Sequence, residues 1–471
     1  MELDRAVARR RRGTRLHRAP VAGAGSPLSG ARLQLRSRWD REILALAVPA
    51  LGALIAEPLY VLADTAVVGR LGTVPLGGLS VAAGLLVSGY SIFIFLAYGT
   101  TAVVARRLGA GDEAGAAHHA VQALWLAAAI GAGLVVAGWF GADWLISLVG
   151  PAPDVAAEAE VYFRISLAGV PALLLVLAGT GYLRGLQDTR TPLVVAVVSA
   201  GANLAIEIVL IGGLGYGIGA SALSTVLAQW GAAAVYLVAV ARAVRRHDVS
   251  LRPNVTALRR VAAVSRDLFV RTVTLRAAFI TMTTLAARLG TTQLAASEIA
   301  FVLWTFLALT LDAVAIAAQA MVGRLLGAGD AAAARDAARR MIELGTVFGV
   351  VVGTAVLVAR QPLAAVFSTD PEVVATAATL LVWVGAMQPL NAVVFVLDGV
   401  LIGAGDTRYL AAAGVVTFAV FLPAAVIAAT GDAGTIERLW SALVLFMVAR
   451  FVTLVVRFRR PGWQRTGLAA A

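Results

Sequence analysis

Twelve long apolar stretches, each of about 20 residues or more, leave this chain few ways to fold. They run approximately over 43–69, 76–105, 119–141, 161–183, 191–213, 219–241, 264–287, 295–323, 341–360, 376–403, 409–430 and 438–458. A helix needs roughly 20 apolar residues to cross the hydrocarbon core of a bilayer, and an open strand would leave its backbone groups unpaired there. The pattern therefore predicts an all-α, polytopic membrane protein of about twelve transmembrane helices. Composition agrees, since 60% of the 471 residues are hydrophobic and only 14% are charged. Such a balance is far more apolar than a soluble protein of this length would show.

The same composition removes several kinds of chemistry. All 39 basic residues are arginine, so neither a phosphate-loop lysine nor a Schiff-base lysine exists and the chain holds no ATP-driven motor. There is no cysteine, and His17, His118, His119 and His247 all fall in hydrophilic segments. No catalytic residue, metal site or cofactor is expected, and a membrane-embedded hydrolase would lack its nucleophile and base. The net charge of +12 invites a nucleic-acid reading, but the arginines sit in alternate loops between apolar stretches. That is the signature of membrane orientation.

Basic residues crowd the first 42 positions, Arg106 and Arg107, Arg184 and Arg190, the stretch 242–260, the stretch 324–340, and the segment after Arg457. The intervening loops are acidic or neutral, as at Asp143, Asp154, Glu158, Asp370 and Glu372. The positive-inside rule places both termini in the cytoplasm, with the spans in the inner (plasma) membrane, and requires an even number of spans. The expected organisation is a disordered basic tail over 1–42 that touches anionic lipid, a first lobe over 43–241, a cytoplasmic linker over 242–260, a second lobe over 261–458, and a cytoplasmic tail over 459–471.

The two lobes are repeats. Arg70-Leu71-Gly72-Thr73 recurs 218 residues on as Arg288-Leu289-Gly290-Thr291. The same shift carries Leu108-Gly109-Ala110-Gly111-Asp112 onto Leu326-Gly327-Ala328-Gly329-Asp330, Pro171 onto Pro389, and Asp188-Thr189-Arg190 onto Asp406-Thr407-Arg408. The glycine-rich runs are read as tight turns between helices, because no Gly-Lys-Ser follows them. Six spans per half is an even number, so the halves share one orientation, and a substrate path is expected between them.

Polar residues at membrane depth are costly, about 2.5–3.5 kcal/mol each on insertion scales, so they point to function. The repeat supplies a control: Asp64, Asn203, Glu207 and Glu57 map onto Met282, Phe421, Ala425 and Leu275. Glu57 and Asp64, two helical turns apart, share a face of span 1, and Tyr60 lies on that face one turn before Asp64. Asn203 and Glu207 share a face of span 5. Asp64 and Glu207 are candidates for ion or proton coupling, with Glu57 as a further candidate; locking the helices together is the structural alternative. In the second half Arg271, Arg276, Asp312 and Asp398 lie at membrane depth. Neutralisation between helices accounts for Arg271, whereas Arg276 with Asp312 or Asp398 is a candidate lining for a substrate cavity. Pro49 and Pro58 each remove a backbone donor and can bend span 1 around its acidic residues.

In order and spacing the chain resembles the multidrug and toxic compound extrusion (MATE) family, and within it the DinF-like branch. The resemblance covers nearly everything from Trp39 to Pro461. It is carried by Ala63-Asp64-Thr65-Ala66-Val67-Val68-Gly69, by Asn203 with Glu207, by Arg266-Asp267-Leu268-Phe269-Val270-Arg271, by Ala287-Arg288-Leu289-Gly290, and by Leu397-Asp398-Gly399-Val400-Leu401-Ile402-Gly403-Ala404. The resemblance implies a V-shaped, two-lobed antiporter that exports small organic, cationic or lipophilic compounds against inward-flowing protons, with sodium as the alternative ion. It also implies a cation site at Asp64, Asn203, Glu207 and Thr225, with Tyr60 beside them, and it matches Pro49 near the start of span 1. Glu207 departs from the family's usual aspartate. The chain is expected to work as a monomer, with a small molecule and the bilayer as its only partners. The alternative within the same superfamily is a flippase for lipid-linked oligosaccharides, which would want a cationic cavity richer in intramembrane arginine.

Overall fold

The computed structural model describes residues 37–430 and 435–468. The expectation of a disordered tail falls mostly on residues 1–36, outside the described residues. Within the described chain the fold is all-α. The helices are α1 (Asp40–Val68), α2 (Thr73–Tyr90), α3 (Phe95–Gly109), α4 (Glu113–Val149), α5 (Pro153–Leu167), α6 (Val170–Gly185), α7 (Arg190–Glu207), α8 (Ile218–His247), α9 (Val255–Leu289), α10 (Thr291–Gly327), α11 (Ala331–Phe367), α12 (Pro371–Gly403), α13 (Thr407–Ala429) and α14 (Ile436–Arg459). A short 3₁₀ turn, Ser91–Ile94, joins α2 to α3, and the two form a single apolar span. Eleven spans in the described residues are long and apolar enough to cross a membrane, and twelve result when the bent pair α5–α6 is taken as one.

That bent pair shows how the repeats diverge. The bend between α5 and α6 is 48°, whereas the equivalent α12 runs unbroken through Pro389. Gly169 precedes the first bend, and the residue 218 further on is Met387, which is buried. Glycine destabilises a helix interior by about 1 kcal/mol relative to alanine, and Pro171 withholds a donor in the next turn, so the first half breaks where the second does not.

The turns that follow α3 and α10 explain the glycine-rich runs. Gly111 and Gly329 adopt φ of 74° and 84°, a left-handed conformation that side chains disfavour. Asp112 then accepts a hydrogen bond from the Gly115 amide at 2.8 Å, and Asp330 accepts one from the Ala333 amide at 2.8 Å. Each carboxylate satisfies an orphan donor at a helix start. The repeated sequence is thus a helix stop followed by a helix cap.

At this same end of the bundle the two halves meet backbone to backbone. A Cβ on Gly109 would overlap the Arg324 carbonyl, and one on Gly327 would overlap the Arg106 carbonyl. A continuous apolar core runs through both halves, from Ile43 and Phe95 to Trp440 and Trp463. Helix α1 starts at Asp40, inside the segment expected to be tail. Asp40 holds Arg340 through two contacts at 2.7 and 3.0 Å, Glu42 pairs with Arg324, and the Trp39 indole donates to Asp336 at 3.0 Å. The expected linker over 242–260 is mostly helical, since α8 continues to His247 and α9 begins at Val255. The chain after α14 is also partly ordered against the bundle, because Trp463 is buried. Helix α1 is continuous through Pro49 and Pro58.

Candidate functional site

Asp64 comes together with Asn203 and Glu207 although it lies some 140 residues before them in the chain. Helices α7 and α8 pack on one another, α7 packs on α1, and α8 touches α1 at this depth. Asp64 and Asn203 are buried and Glu207 is wholly so. The Asn203 amide nitrogen donates to the Tyr60 hydroxyl at 3.1 Å and to Thr225 Oγ1 at 3.0 Å, and those two hydroxyls lie 2.8 Å apart. Tyr60, Asn203 and Thr225 therefore close a triangle of hydrogen bonds. Asp64 Oδ1 accepts from the Ser221 hydroxyl at 3.0 Å. Glu207 stands within hydrogen-bonding reach of Asp64 and Ser221, although no donor meets its carboxylate oxygens at full hydrogen-bond geometry.

Glu207 is the last residue of α7 before the backbone widens into a π-helical turn, Ile208–Gly213. Turns of this kind are rare and collect at functional sites. Ser221, Ser224 and Tyr162 also belong to the cluster and were not among the expected residues. Ser224 donates to Asn203 Oδ1 at 3.4 Å, and Tyr162 is buried within electrostatic reach of Asp64. Ser221 sits one helical turn before Thr225, so the spacing of hydroxyls in an otherwise apolar helix was the available signal.

The equivalent place in the second half is filled with hydrocarbon. Met282, Phe421 and Ala425 are fully buried, and Phe421 packs its ring 5.4 Å from that of Phe446. One half thus carries a polar cleft where the other carries an apolar plug.

Glu57 does not join the Asp64 cluster. It shares the face of α1 but is exposed, because two turns earlier α1 no longer has α7 and α8 closing over that face. Its carboxylate, from the first half, and the Arg276 guanidinium, from the second, both lie within electrostatic reach of Tyr90. Arg276 is likewise exposed and makes no ion pair among the described residues. The expected pairing of Arg276 with Asp312 or Asp398 is therefore corrected. Asp398 is gripped by Arg271, at 2.8 Å, and by Arg450. Asp312 accepts a hydrogen bond from Tyr98 of the first half at 3.0 Å. Arg450 was missed although it lies inside an apolar stretch. Its reach along α14 to α12 depends on packing that no sequence spacing reports.

A helical bundle of two parallel repeats, with ionisable groups held at membrane depth, defines a polytopic membrane transporter. The MatE family model matches the chain twice, over residues 49–209 and 268–427, once in each half. The chain belongs to this family, the multidrug and toxic compound extrusion transporters, which are not enzymes. It is 31% identical over 427 residues to Protein DETOXIFICATION 44, chloroplastic, of Arabidopsis thaliana, covering 87% of this chain and 80% of that relative. It is 29% identical to DNA damage-inducible protein F of Escherichia coli K12, covering 92% and 94%. Among solved structures, a Vibrio cholerae MATE transporter superposes with a TM-score of 0.80 at 21% identity, covering 89% of this chain and 96% of that one. A MOP superfamily transporter from Pyrococcus furiosus gives 0.79 at 20% identity, covering 90% and 97%.

Proposed function

We propose that this chain is a secondary active antiporter that exports small organic compounds, cationic or lipophilic, in exchange for protons. The observation that carries the reading is the isolation of two carboxyls. Asp64 and Glu207 are buried side by side with no cationic partner, and no donor meets the Glu207 oxygens at full hydrogen-bond geometry. An uncompensated buried charge is strongly destabilising, by about 3–5 kcal/mol where a partner has been removed. A proton arriving at this pair removes that cost, and its departure restores it. The protonation state thereby biases how α1, α7 and α8 pack. Each proton that crosses a potential of 100 mV releases about 2.3 kcal/mol for export.

Sodium is the competing ion, because carboxylates, an amide carbonyl and hydroxyls are the donors that a hard cation prefers. The triangle of Tyr60, Asn203 and Thr225 is already hydrogen-bonded within itself. That leaves the carboxyls as the groups in need of a partner and favours the proton. On this reading the chain lies in the inner membrane with both termini cytoplasmic, works as a monomer, and admits substrate to the gap between its halves that Glu57 and Arg276 border. In proteoliposomes, an imposed pH gradient without sodium drives substrate movement. Transport that requires a sodium gradient at every pH would reject proton coupling.

A further inference from the structure

A second polar cavity lies well away from the carboxyl cluster, where the segment joining the two halves folds back on α4. Gln122, fully buried, fixes that segment from both sides: its amide nitrogen donates to the Arg252 carbonyl at 3.1 Å, and its oxygen accepts from the Asn254 amide at 2.9 Å. The Trp125 indole donates to the Leu251 carbonyl at 2.9 Å. Three bonds, to Leu251, Arg252 and Asn254, make a wall of this segment. Between this wall, α3 and α4 is a cavity of about 320 Å³, at the small end of the range for ligand sites, about 300–1,000 Å³.

Its lining is cationic and short of partners. Arg107, His118, His119 and Arg260 face it together with Asn254. Arg107 gives one nitrogen to Asp112 at 2.6 Å, but its Nε is buried with nothing to donate to. Arg260 makes no ion pair among the described residues, and neither imidazole is hydrogen-bonded to the protein there. His118, His119 and Arg107 lie within electrostatic reach of one another, and burial, with Arg107 and His118 alongside, keeps the His119 imidazole uncharged, so it meets the cavity as a neutral donor while the two arginines carry the charge. The nearby acids are already engaged, Asp112 by Arg107 and the Gly115 amide, and Glu113 by His247 at 3.3 Å. Asn254 caps the start of α9, accepting from Ala257, so the positive end of a 35-residue helix also borders the cavity.

The linker wall itself carries large apolar groups. Trp125, which holds Leu251, is 47% exposed, and Leu251 and Val255 are 60% and 64% exposed. A basic pocket at the end of a membrane bundle, behind a wall that bears indole and aliphatic side chains, matches a polar phosphate whose attached chains remain in the bilayer.

We infer that this cavity is a binding site for a phosphate ester, supplied by an anionic phospholipid headgroup or by a soluble phosphomonoester, held by Arg107, His118, His119 and Arg260. The Arg260 guanidinium donates to phosphate oxygens, Arg107 adds positive charge beside them, and the imidazoles complete the cradle. The occupant would fix the linker against α4 and so bear on the only covalent connection between the halves.

Native mass spectrometry of the purified full-length chain tests this, with dioctanoyl phosphatidylglycerol, dioctanoyl phosphatidylcholine and glycerol 1-phosphate as probes. The wild type is expected to retain one phosphatidylglycerol in preference to phosphatidylcholine. Arg260→Gln and His119→Gln, measured separately, should each weaken retention by roughly tenfold, whereas Arg408→Gln, the same charge change at an exposed site elsewhere, should not. Arg260 is exposed, so its replacement leaves the fold intact, and thermal melting checks this. Binding of glycerol 1-phosphate with the same dependence on Arg260 and His119, without lipid preference, assigns the site to a soluble ester. Retention that is equal in the wild type and both variants for every probe, or that falls equally in Arg408→Gln, overturns the proposal.

Discussion

Gly109 and Gly327 stand 218 residues apart in the chain and face one another's helices at the pseudo-twofold axis, each pressed on a carbonyl of the partner half. The contact is reciprocal, since Gly109 meets Arg324 and Gly327 meets Arg106. With the ion pairs of Asp40 and Glu42 to Arg340 and Arg324, it joins the halves at this end of the bundle.

Gly109→Val is expected to hold that end apart. Overpacking of a close contact costs about 1–3 kcal/mol, which is enough to reduce transport by roughly tenfold. Protein abundance should stay near normal, because the rest of the core is untouched. Unaltered transport in both Gly109→Val and Gly327→Val would show that the contact does not matter to the cycle.

Asp64→Asn and Glu207→Gln are each expected to abolish ion-driven export while folded protein remains in the membrane. Glu207 has no cationic partner to lose, so its replacement by the neutral amide removes a buried titratable group and breaks no ion pair. Transport and yield should be measured on the same preparation. A Glu207→Gln variant that exports normally removes the residue from the coupling site.

Asp398→Asn should behave differently, as a stability defect. Its carboxylate holds both Arg271 and Arg450, and removing it leaves two guanidiniums uncompensated at membrane depth. A broken buried ion pair costs about 3–5 kcal/mol, so the expected reading is a severalfold fall in membrane abundance and a lower melting temperature. Arg276→Gln, which breaks no ion pair, should keep its abundance and change the order of preference across a panel of substrates. An Asp398→Asn protein as abundant and as heat-stable as the wild type would contradict the arrangement.

The proposed orientation can be read chemically, because the chain contains no cysteine. Asp154→Cys, in the first turn of α5, should react in whole cells with a membrane-impermeant thiol reagent, and Ala331→Cys, at the start of α11, should not. The reverse pattern of labelling would invert the topology.

The sequence alone determined the spans, the two repeats and the identity of the carboxyl cluster, because each rests on a local or periodic property. Lipid demands about 20 apolar residues per crossing, and a fixed shift of 218 residues exposes the polar positions that the second half lacks. Asp64, Asn203 and Glu207 were legible in this way, Tyr60 by its place on the face of span 1, and Thr225 only through the family resemblance; the structure brings all five together. Partnership was not legible. Asp398 meets Arg271 and Arg450, and not Arg276, because long guanidinium side chains choose partners by helix rotation and depth, which spacing along one helix does not encode. Glu57 and Asp64 share a face of α1, yet only Asp64 is enclosed, since α7 and α8 close over that face at one depth and not at the other. The cavity beneath the linker escaped for the same reason: Gln122 and Arg252 lie 130 residues apart, and only the packing of α9 against α4 makes them neighbours.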